Sequence, residues 1–199
     1  MFDRIKAIAV NLPFNERKAT EAAAHLLKLR GGTMSYMKLI KLLYRADREA
    51  LLRFGCPITT DRYVSMGRGP VLGRVLNLIT DEREPASHSI WTNVISEPNH
   101  YEVRLNKEME PEELSDAEIE LLNEIFQQFG RLDRWSLIKI THDLPEWVDP
   151  HGSAIPISYR DILLNAGRTP AEIEVIEQEL AALETSSSLQ PSKDALSTR

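Results

Sequence analysis

The sequence predicts a mainly helical α+β protein, built as a single compact helical domain around a central amphipathic helix with a small antiparallel β-sheet. Three observations support this class. Apolar residues recur at helical spacing in several segments, helix-capping pairs precede several of them, and a few short segments alternate as strands do. The 199 residues are 42% hydrophobic and 27% charged, which is the balance of a globular chain that buries a core.

The sequence divides the chain into four parts. Residues 1–17 form an N-terminal segment, and residues 18–150 form the main domain. Residues 151–184 form a C-terminal extension with a helix at about 170–184. Residues 185–199 are predicted to be a disordered tail, because they are rich in serine and contain almost no residues that could join a core.

Helical stripes of apolar residues predict the first two helices. Residues 18–30 carry alanines and leucines on one face and end at a pair of glycines. The second helix, from about residue 33 to 54, gives the strongest signal. Its apolar residues recur at spacings of four, three, four and four: Leu39, Leu43, Ala46, Ala50 and Phe54. This stripe is predicted to be the buried face of the central helix.

A second face of the central helix is basic, with Lys38, Lys41, Arg45 and Arg48 at spacings of three, four and three. Such a stripe is either a dock for an acidic surface or a solvated helix face, and the solvated face is the more frequent case. Tyr44 lies on the same helix. It is expected at the edge of the core or in an interface, since its hydroxyl needs a partner.

Short extended segments are predicted after this helix. Residues 57–66 are β-branched and aromatic enough to include a strand, and residues 67–70 form a glycine-rich turn. Pro70 is expected to open a helix over residues 71–79, because proline suits the first helical position.

A polar loop and a hairpin are predicted next. The loop covers residues 80–88. Residues 90–95 and 101–105 are expected to be two strands, because the second alternates apolar and polar residues. The polar residues between the two segments make a hairpin turn plausible.

Capping residues mark three helices in the second half of the chain. Ser115 and Glu118 form a capping box for a helix that ends near residue 130. Asp133 is expected to cap the helix that follows. Thr169 and Glu172 form a second capping box, which opens the C-terminal helix.

Charge and composition exclude several classes of protein. The net charge of −6 combines +8 over residues 1–79, −10 over 80–170 and −4 over 171–199. Such a chain is poorly suited to wrap duplex DNA, so no specific nucleic-acid partner is expected. Cys56 is the only cysteine, which excludes an internal disulfide and a cysteine-rich zinc site. No apolar run predicts a membrane span or signal peptide, so a cytoplasmic protein without membrane association is expected.

The run KLIKLLYRAD at residues 38–47 resembles the signature of the Panacea domain family, which includes the SocA-like antitoxins and phage-associated relatives. Further segments resemble later motifs of the family, in its order and over roughly residues 18–150. They are GCPI at 55–58, DRYV at 61–64, GPV at 69–71, WSL at 135–137 and HDLPEW at 142–147. The residues expected to build the domain are Leu39, Leu43, Tyr44, Gly69, Pro70, Trp135, His142 and Trp147. His142 is expected to hydrogen-bond inside the domain, in a corner packed by Trp135 and Trp147.

The resemblance implies an antitoxin of a toxin–antitoxin pair, with a setting in phage defence and no enzymatic activity, cofactor or metal of its own. Such a protein holds a toxin inactive by direct contact, and some members are thought to deliver the toxin to a protease. The expected partner is a protein toxin encoded by the adjacent gene. The toxin-binding candidates are charged and aromatic residues on or near the central helix, which make good interface anchors: Lys41, Arg45, Arg48, Tyr63 and Arg68.

Two alternatives remain open, and so does the oligomeric state. His142 and Asp143 resemble the His-Asp pair of metal phosphohydrolases, although no further ligand shows the required spacing. A metal-dependent hydrolase that uses these two residues is the first alternative. A toxin-independent adaptor is the second.

Overall fold

The computed structural model describes residues 12–80 and 89–188. Within these ranges the chain forms eight helices and five short strands. In chain order they are α1 (Glu16–Leu29), β1 (Thr33–Ser35), α2 (Tyr36–Phe54), β2 (Tyr63–Met66), β3 (Gly69–Leu72), α3 (Gly73–Thr80), α4 (Ile90–Val94), β4 (Glu102–Arg104), α5 (Asp116–Phe129), α6 (Arg134–His142), β5 (Ile155–Ile157), α7 (Tyr159–Asn165) and α8 (Pro170–Ser188). The predicted class, mainly helical with a small antiparallel sheet, is confirmed.

Helix α2 lies at the centre of the fold. Four residues of the predicted stripe are buried, since Leu39, Leu43, Ala46 and Ala50 are at most 1% exposed. The prediction is wrong for Phe54, which is the last residue of the helix and is 47% exposed. Helices α1, α5, α6 and α7 and strand β3 all pack against α2, so most of its surface is enclosed. Gly55 ends the helix with a φ of 75°, a left-handed conformation that glycine adopts without a steric penalty.

The strands form two small antiparallel sheets. Strand β1 pairs with β4, which places Met34 opposite Val103, and both side chains are buried. Strand β2 lies between β3 and β5 in the second sheet. Because β5 comes from the C-terminal extension, the extension is joined to the main domain by a sheet as well as by helix packing.

The hairpin predicted from residues 90–95 and 101–105 is wrong in its first half, where the chain forms the short helix α4. Ser89 caps this helix, and Glu16 of α1 accepts hydrogen bonds from the Ser89 hydroxyl (2.8 Å) and from the N–H of Trp91 (3.1 Å). Trp91 is 1% exposed and anchors α4 in the core. These long-range contacts outweigh the strand propensity of the segment.

The helix predicted to open at Pro70 begins at Gly73 instead. Pro70 lies in β3, an edge strand, where a residue without an N–H is tolerated. The carboxylate of Asp61 sets the boundary, since it accepts hydrogen bonds from the N–H groups of Arg74 (2.9 and 3.0 Å) and Val75 (2.9 Å). These bonds satisfy the first turn of α3.

The three predicted caps of the second half are confirmed. Ser115 and Glu118 form the capping box, and Thr169 and Glu172 form the second one. Asp133 accepts hydrogen bonds from two N–H groups of the first turn of α6. Helix α8 continues to Ser188, four residues beyond its predicted end at residue 184.

Some predictions fall on segments that the structure does not describe. The predicted loop at residues 80–88 lies almost wholly outside the described residues, as do most of the N-terminal segment and residues 189–199. In the part of the chain that the structure covers, no helix has the length and apolar character that crossing a membrane requires.

Replacing Leu43 with Asp tests the position of α2. We expect a loss on the order of 4 kcal/mol or more in the free energy of unfolding, because the change buries a carboxylate without a partner. Phe54→Asp is the matched control, since Phe54 lies on the same helix and is 47% exposed. Urea unfolding followed by circular dichroism measures both. Equal losses in the two variants would contradict the arrangement.

Candidate functional site

Polar side chains of α2, of the β2–β3 hairpin and of the segment after α6 meet inside the domain. We call these six residues the buried polar cluster: Lys41, Tyr44, Asp47, Arg48, Tyr63 and Glu146. Apart from Arg48, whose side chain is 13% exposed, these residues are at most 5% exposed. Buried polar groups of this kind are costly unless they are hydrogen-bonded.

Glu146 is the acceptor at the centre of the cluster. Its Oε1 accepts hydrogen bonds from the Tyr44 hydroxyl (3.0 Å) and from Nε of Arg48 (2.7 Å), and its Oε2 accepts from a terminal nitrogen of Arg48 (3.3 Å). The Glu146 side chain is 0% exposed and that of Arg48 is 13% exposed. Burial and the adjacent carboxylate raise the pKa of Tyr44, so its hydroxyl stays a donor. The prediction that Tyr44 lies at an edge or interface is wrong, because its ring is fully buried.

Asp47 is a second buried acceptor, one helical turn from Tyr44. It accepts hydrogen bonds from the N–H of Thr59 (3.0 Å), the hydroxyl of Thr59 (2.5 Å) and the hydroxyl of Tyr63 (3.3 Å). Burial raises the pKa of Asp47 to about 7. The Tyr63 ring packs edge-on against Tyr44 at 5.3 Å and against Tyr159 at 5.1 Å. The extension that carries Tyr159 therefore covers the cluster.

Lys41 is 0% exposed, and its Nζ donates a hydrogen bond to the carbonyl oxygen of Pro70 at 2.7 Å. Burial lowers the pKa of Lys41 to about 7. Gly69, beside it, has a φ of 87°, and a Cβ there would lie 2.7 Å from the hydroxyl oxygen of Thr141 and 3.0 Å from the Lys41 amine. The glycine of the GPV motif therefore allows β3 to pack closely against the helices α2 and α6.

His142 and Trp147 close the cluster against the hairpin. Their rings stack at 4.0 Å, the indole N–H of Trp147 donates to the carbonyl oxygen of Met66 (3.1 Å), and the N–H of Val148 donates to Oγ of Ser65 (3.3 Å). Within the described ranges, Nε2 of His142 is buried without a hydrogen-bond partner. The expectation that His142 packs with Trp147 is confirmed, but the expected hydrogen bond of its imidazole Nε2 is not formed.

The structure corrects the predicted exposure of the basic stripe. Lys41 and Tyr63, two of the five toxin-binding candidates, are enclosed in the domain. Lys38 is 6% exposed and donates to the carbonyl oxygen of Gly130 (2.5 Å). The solvated-face interpretation fails here because α5, α6 and β3 pack over this side of α2.

The other three candidates reach the surface to different degrees. Arg48 is held by Glu146. Arg45 is half-buried, with its guanidinium 4.5 Å from the ring centroid of Phe129. Arg68 is exposed in the turn between β2 and β3. Toxin binding by these three arginines stays a prediction.

Among the motif residues, Trp135 is the one whose predicted position differs most from the structure. It was expected to pack in the corner with His142, but it lies at the opposite end of α6 and its side chain is 60% exposed. Its neighbours include Tyr101 and Arg134, which the sequence did not single out. The signal that the sequence did contain was the position of Trp135 in the first turn of α6, two residues after the cap Asp133.

The geometry gives the hydrolase alternative no support. In the part of the chain that the structure describes, no three His, Cys, Asp or Glu side chains lie together so that they could hold a metal ion. His142 stacks on Trp147, and its pKa is lowered by burial and by the nearby Lys41 amine. Asp143 is the C-terminal cap residue of α6.

The fold and the cluster define a small α+β domain whose signature polar residues are engaged in internal hydrogen bonds. Residues 39–148, more than half of the chain, match the family model described as antitoxin SocA-like, Panacea domain. The chain therefore belongs to this family. Neither the curated proteins nor the solved structures gave a match. The matched segment contains the whole buried polar cluster and ends at Val148.

Replacing Glu146 with Gln tests the central acceptor. The variant keeps the shape but removes the charge that pairs with Arg48, and we expect a loss of about 2–4 kcal/mol in the free energy of unfolding. Glu124→Gln is the matched control, because Glu124 pairs with the exposed Arg53 at the same distance of 2.7 Å. Its loss should be about 0.5 kcal/mol. Chemical denaturation measures both, and similar losses would mean that Glu146 is no more critical than a surface acid.

Lys41 predicts a pH dependence of stability. Its pKa is about 7 in the folded chain and about 10.5 when unfolded, so unfolding between these values takes up a proton. The contribution of the neutral amine is fully present above pH 10.5, falls progressively as the pH drops from 10.5 to 7, and is lost once the pH has fallen through 7. The free energy of unfolding of the wild type, minus that of Lys41→Met, should rise on the order of 3 kcal/mol from pH 7 to 10. Denaturation across this range measures it, with the exposed Lys107→Met as control. A difference that does not change with pH would contradict the burial of this amine.

Proposed function

We propose that this protein is an antitoxin that neutralises a protein toxin by direct binding in the cytoplasm, in a toxin–antitoxin system that serves phage defence. The observation that carries the proposal is the match to the SocA-like, Panacea antitoxin family over residues 39–148. The structure agrees with a binding role, because the polar residues of the signature support the fold rather than line an open reaction site.

The toxin is proposed to contact the surface next to the cluster rather than the cluster itself. Lys41 and Tyr63 are enclosed, so they act on binding only by holding α2 and the hairpin in place. Arg48 is also unsuitable as a probe of binding, because Arg48→Glu would set a second carboxylate beside that of Glu146. Arg45 and Arg68 are the two original candidates whose replacement can report on binding.

Co-expression tests the proposal. Each gene adjacent to the one that encodes this chain is placed under tight inducible control, and any product that arrests growth is co-expressed with the chain. We expect growth to recover, and the two proteins to co-purify, because binding holds the toxin inactive. Leu43→Asp, which should be strongly destabilised, is the negative control. Persistent growth arrest, or the lack of any toxic neighbour, would contradict the proposal.

The same strains distinguish blocking from delivery to a protease. If the chain blocks the toxin, the half-life of the toxin stays the same or lengthens during co-expression. If the chain delivers the toxin, the half-life shortens, and deletion of the responsible protease restores both the toxin and the growth arrest. We propose binding as the first step in either case, because delivery also requires that the chain binds the toxin.

A further inference from the structure

A cleft of about 190 Å³ opens where the start of α2, the turn between β2 and β3, and the start of α6 come together. We call it the aromatic–basic cleft. Its principal lining residues are Ser35, Tyr36, Arg68, Tyr101, Arg134 and Trp135. Two of these residues are large, solvent-exposed aromatics, since Tyr101 is 63% exposed and Trp135 is 60% exposed. Trp, Tyr and Arg are the residue types enriched among interface anchors.

The aromatic rings hold one of the cationic groups of the cleft in position. The guanidinium of Arg134 lies 5.0 Å from the ring of Trp135 and 5.9 Å from that of Tyr101. The Tyr101 ring in turn lies 6.3 Å from that of Tyr36. An arginine that is already ordered loses less conformational freedom when a ligand binds. The arrangement is therefore organised before any partner arrives.

A tight two-residue hairpin turn presents Tyr101 to the cleft. His100 and Tyr101 have φ values of 49° and 67° in the tight turn between Asn99 and Glu102. Residues other than glycine, asparagine and aspartate rarely adopt this left-handed conformation. The carbonyl oxygen of Tyr101 accepts a hydrogen bond from the N–H of Tyr36 at 3.0 Å, which fixes the turn against α2.

The cleft favours a negatively charged group. Arg68 and Arg134 both line it, at the start of α2, where the helix dipole is positive. Ser35 precedes α2; within the described ranges its side chain does not cap the helix, and its buried Oγ has no hydrogen-bond partner. The neighbouring acid, Asp133, is engaged by the N–H groups of Trp135 and Ser136. A carboxylate in the cleft would therefore meet two guanidinium groups beside the positive end of the α2 dipole.

We propose that the aromatic–basic cleft is the docking site for an acidic segment of the toxin. A carboxylate side chain of that segment pairs with Arg68 and Arg134, and its apolar neighbours pack on Trp135 and Tyr101. This inference rests on the proposed function and names the surface and the partner chemistry through which it acts. Opposite charge at such a surface mainly accelerates association and fixes orientation, while the aromatic contacts slow dissociation.

Two cleft variants of the full chain test the proposal against the toxin identified by co-expression. The first is the double change Arg68→Glu and Arg134→Glu. Both changes should leave the fold intact, because Arg68 is exposed in a turn and an acidic residue is favourable at the start of a helix such as α6. The second is Trp135→Ala. We expect each to raise the dissociation constant by about thirtyfold or more. The matched controls are Arg104→Glu and Val175→Ala, which change exposed residues outside the lining and should leave the dissociation constant unchanged.

Hydroxyl-radical footprinting supplies an independent readout, because it reports the exposure of Trp135 and Tyr101 directly by mass spectrometry. In the wild-type complex both should be protected from oxidation, and Val175 should not be. If the cleft variants keep native circular dichroism but lose binding and rescue, and the wild-type complex protects Trp135, the proposal is supported.

Other outcomes separate the two proposals. If the toxin binds and growth recovers, but Trp135 stays reactive and the cleft variants bind normally, the cleft is not the docking site and the antitoxin function stands. If the wild type neutralises no toxin, the proposed function fails, and this inference fails with it. If a short single-stranded RNA protects Trp135 and the toxin does not, the cleft recognises phosphate rather than an acidic protein segment, and the inference is overturned.

Discussion

The buried carboxylate of Glu146 is the constraint on which the rest of the structure depends. A carboxylate that is removed from water is tolerated only with strong hydrogen-bond donors, and Tyr44 and Arg48 of α2 supply them. The pairing fixes the segment after α6 to the central helix. The adjacent residues then fasten the β2–β3 hairpin, since Trp147 binds the carbonyl oxygen of Met66. The Arg48–Glu146 ion pair and the neighbouring hydrogen bond of Trp147 thus set the relative positions of α2, the β2–β3 hairpin and the segment after α6.

This constraint explains what the family signature describes. Lys41, Tyr44 and Asp47 each satisfy a hydrogen bond inside the domain, and the glycine of the GPV motif permits a contact that a Cβ would block. The signature therefore identifies the fold, and it leaves most of the surface unspecified. In the docking that we propose, selection of a particular partner falls to surface residues outside the enclosed part of the signature, such as Tyr101 and Arg134.

Sequence patterns predicted the parts of the fold that local physics controls. The stripe through Leu39 and Leu43 marks the buried face of α2, and the capping boxes mark helix starts, because both depend on residues within a few positions of each other. Predictions failed where residues distant in the sequence determine the local structure or the burial of a side chain. Residues 90–94 are helical partly because Glu16 of α1 accepts a hydrogen bond there, and Lys41 is buried because three other elements cover a face that reads as solvated. A pattern of charges does not contain this information.

The exposed position of Trp135 follows from the same architecture. Helix α6 and the β2–β3 hairpin both extend from the buried polar cluster to the aromatic–basic cleft. Helix α6 has His142 at its cluster end and Arg134 and Trp135 at its cleft end. In the hairpin, the carbonyl oxygen of Met66 accepts a hydrogen bond from Trp147, and Arg68 lies two residues further on, in the turn. The hydrogen bonds of Glu146 and Trp147 thus anchor the segment after α6 and the β2–β3 hairpin without touching Arg134 or Arg68, which lie at the cleft ends of α6 and of the hairpin. The docking that we propose at the cleft therefore depends on complete pairing in the core.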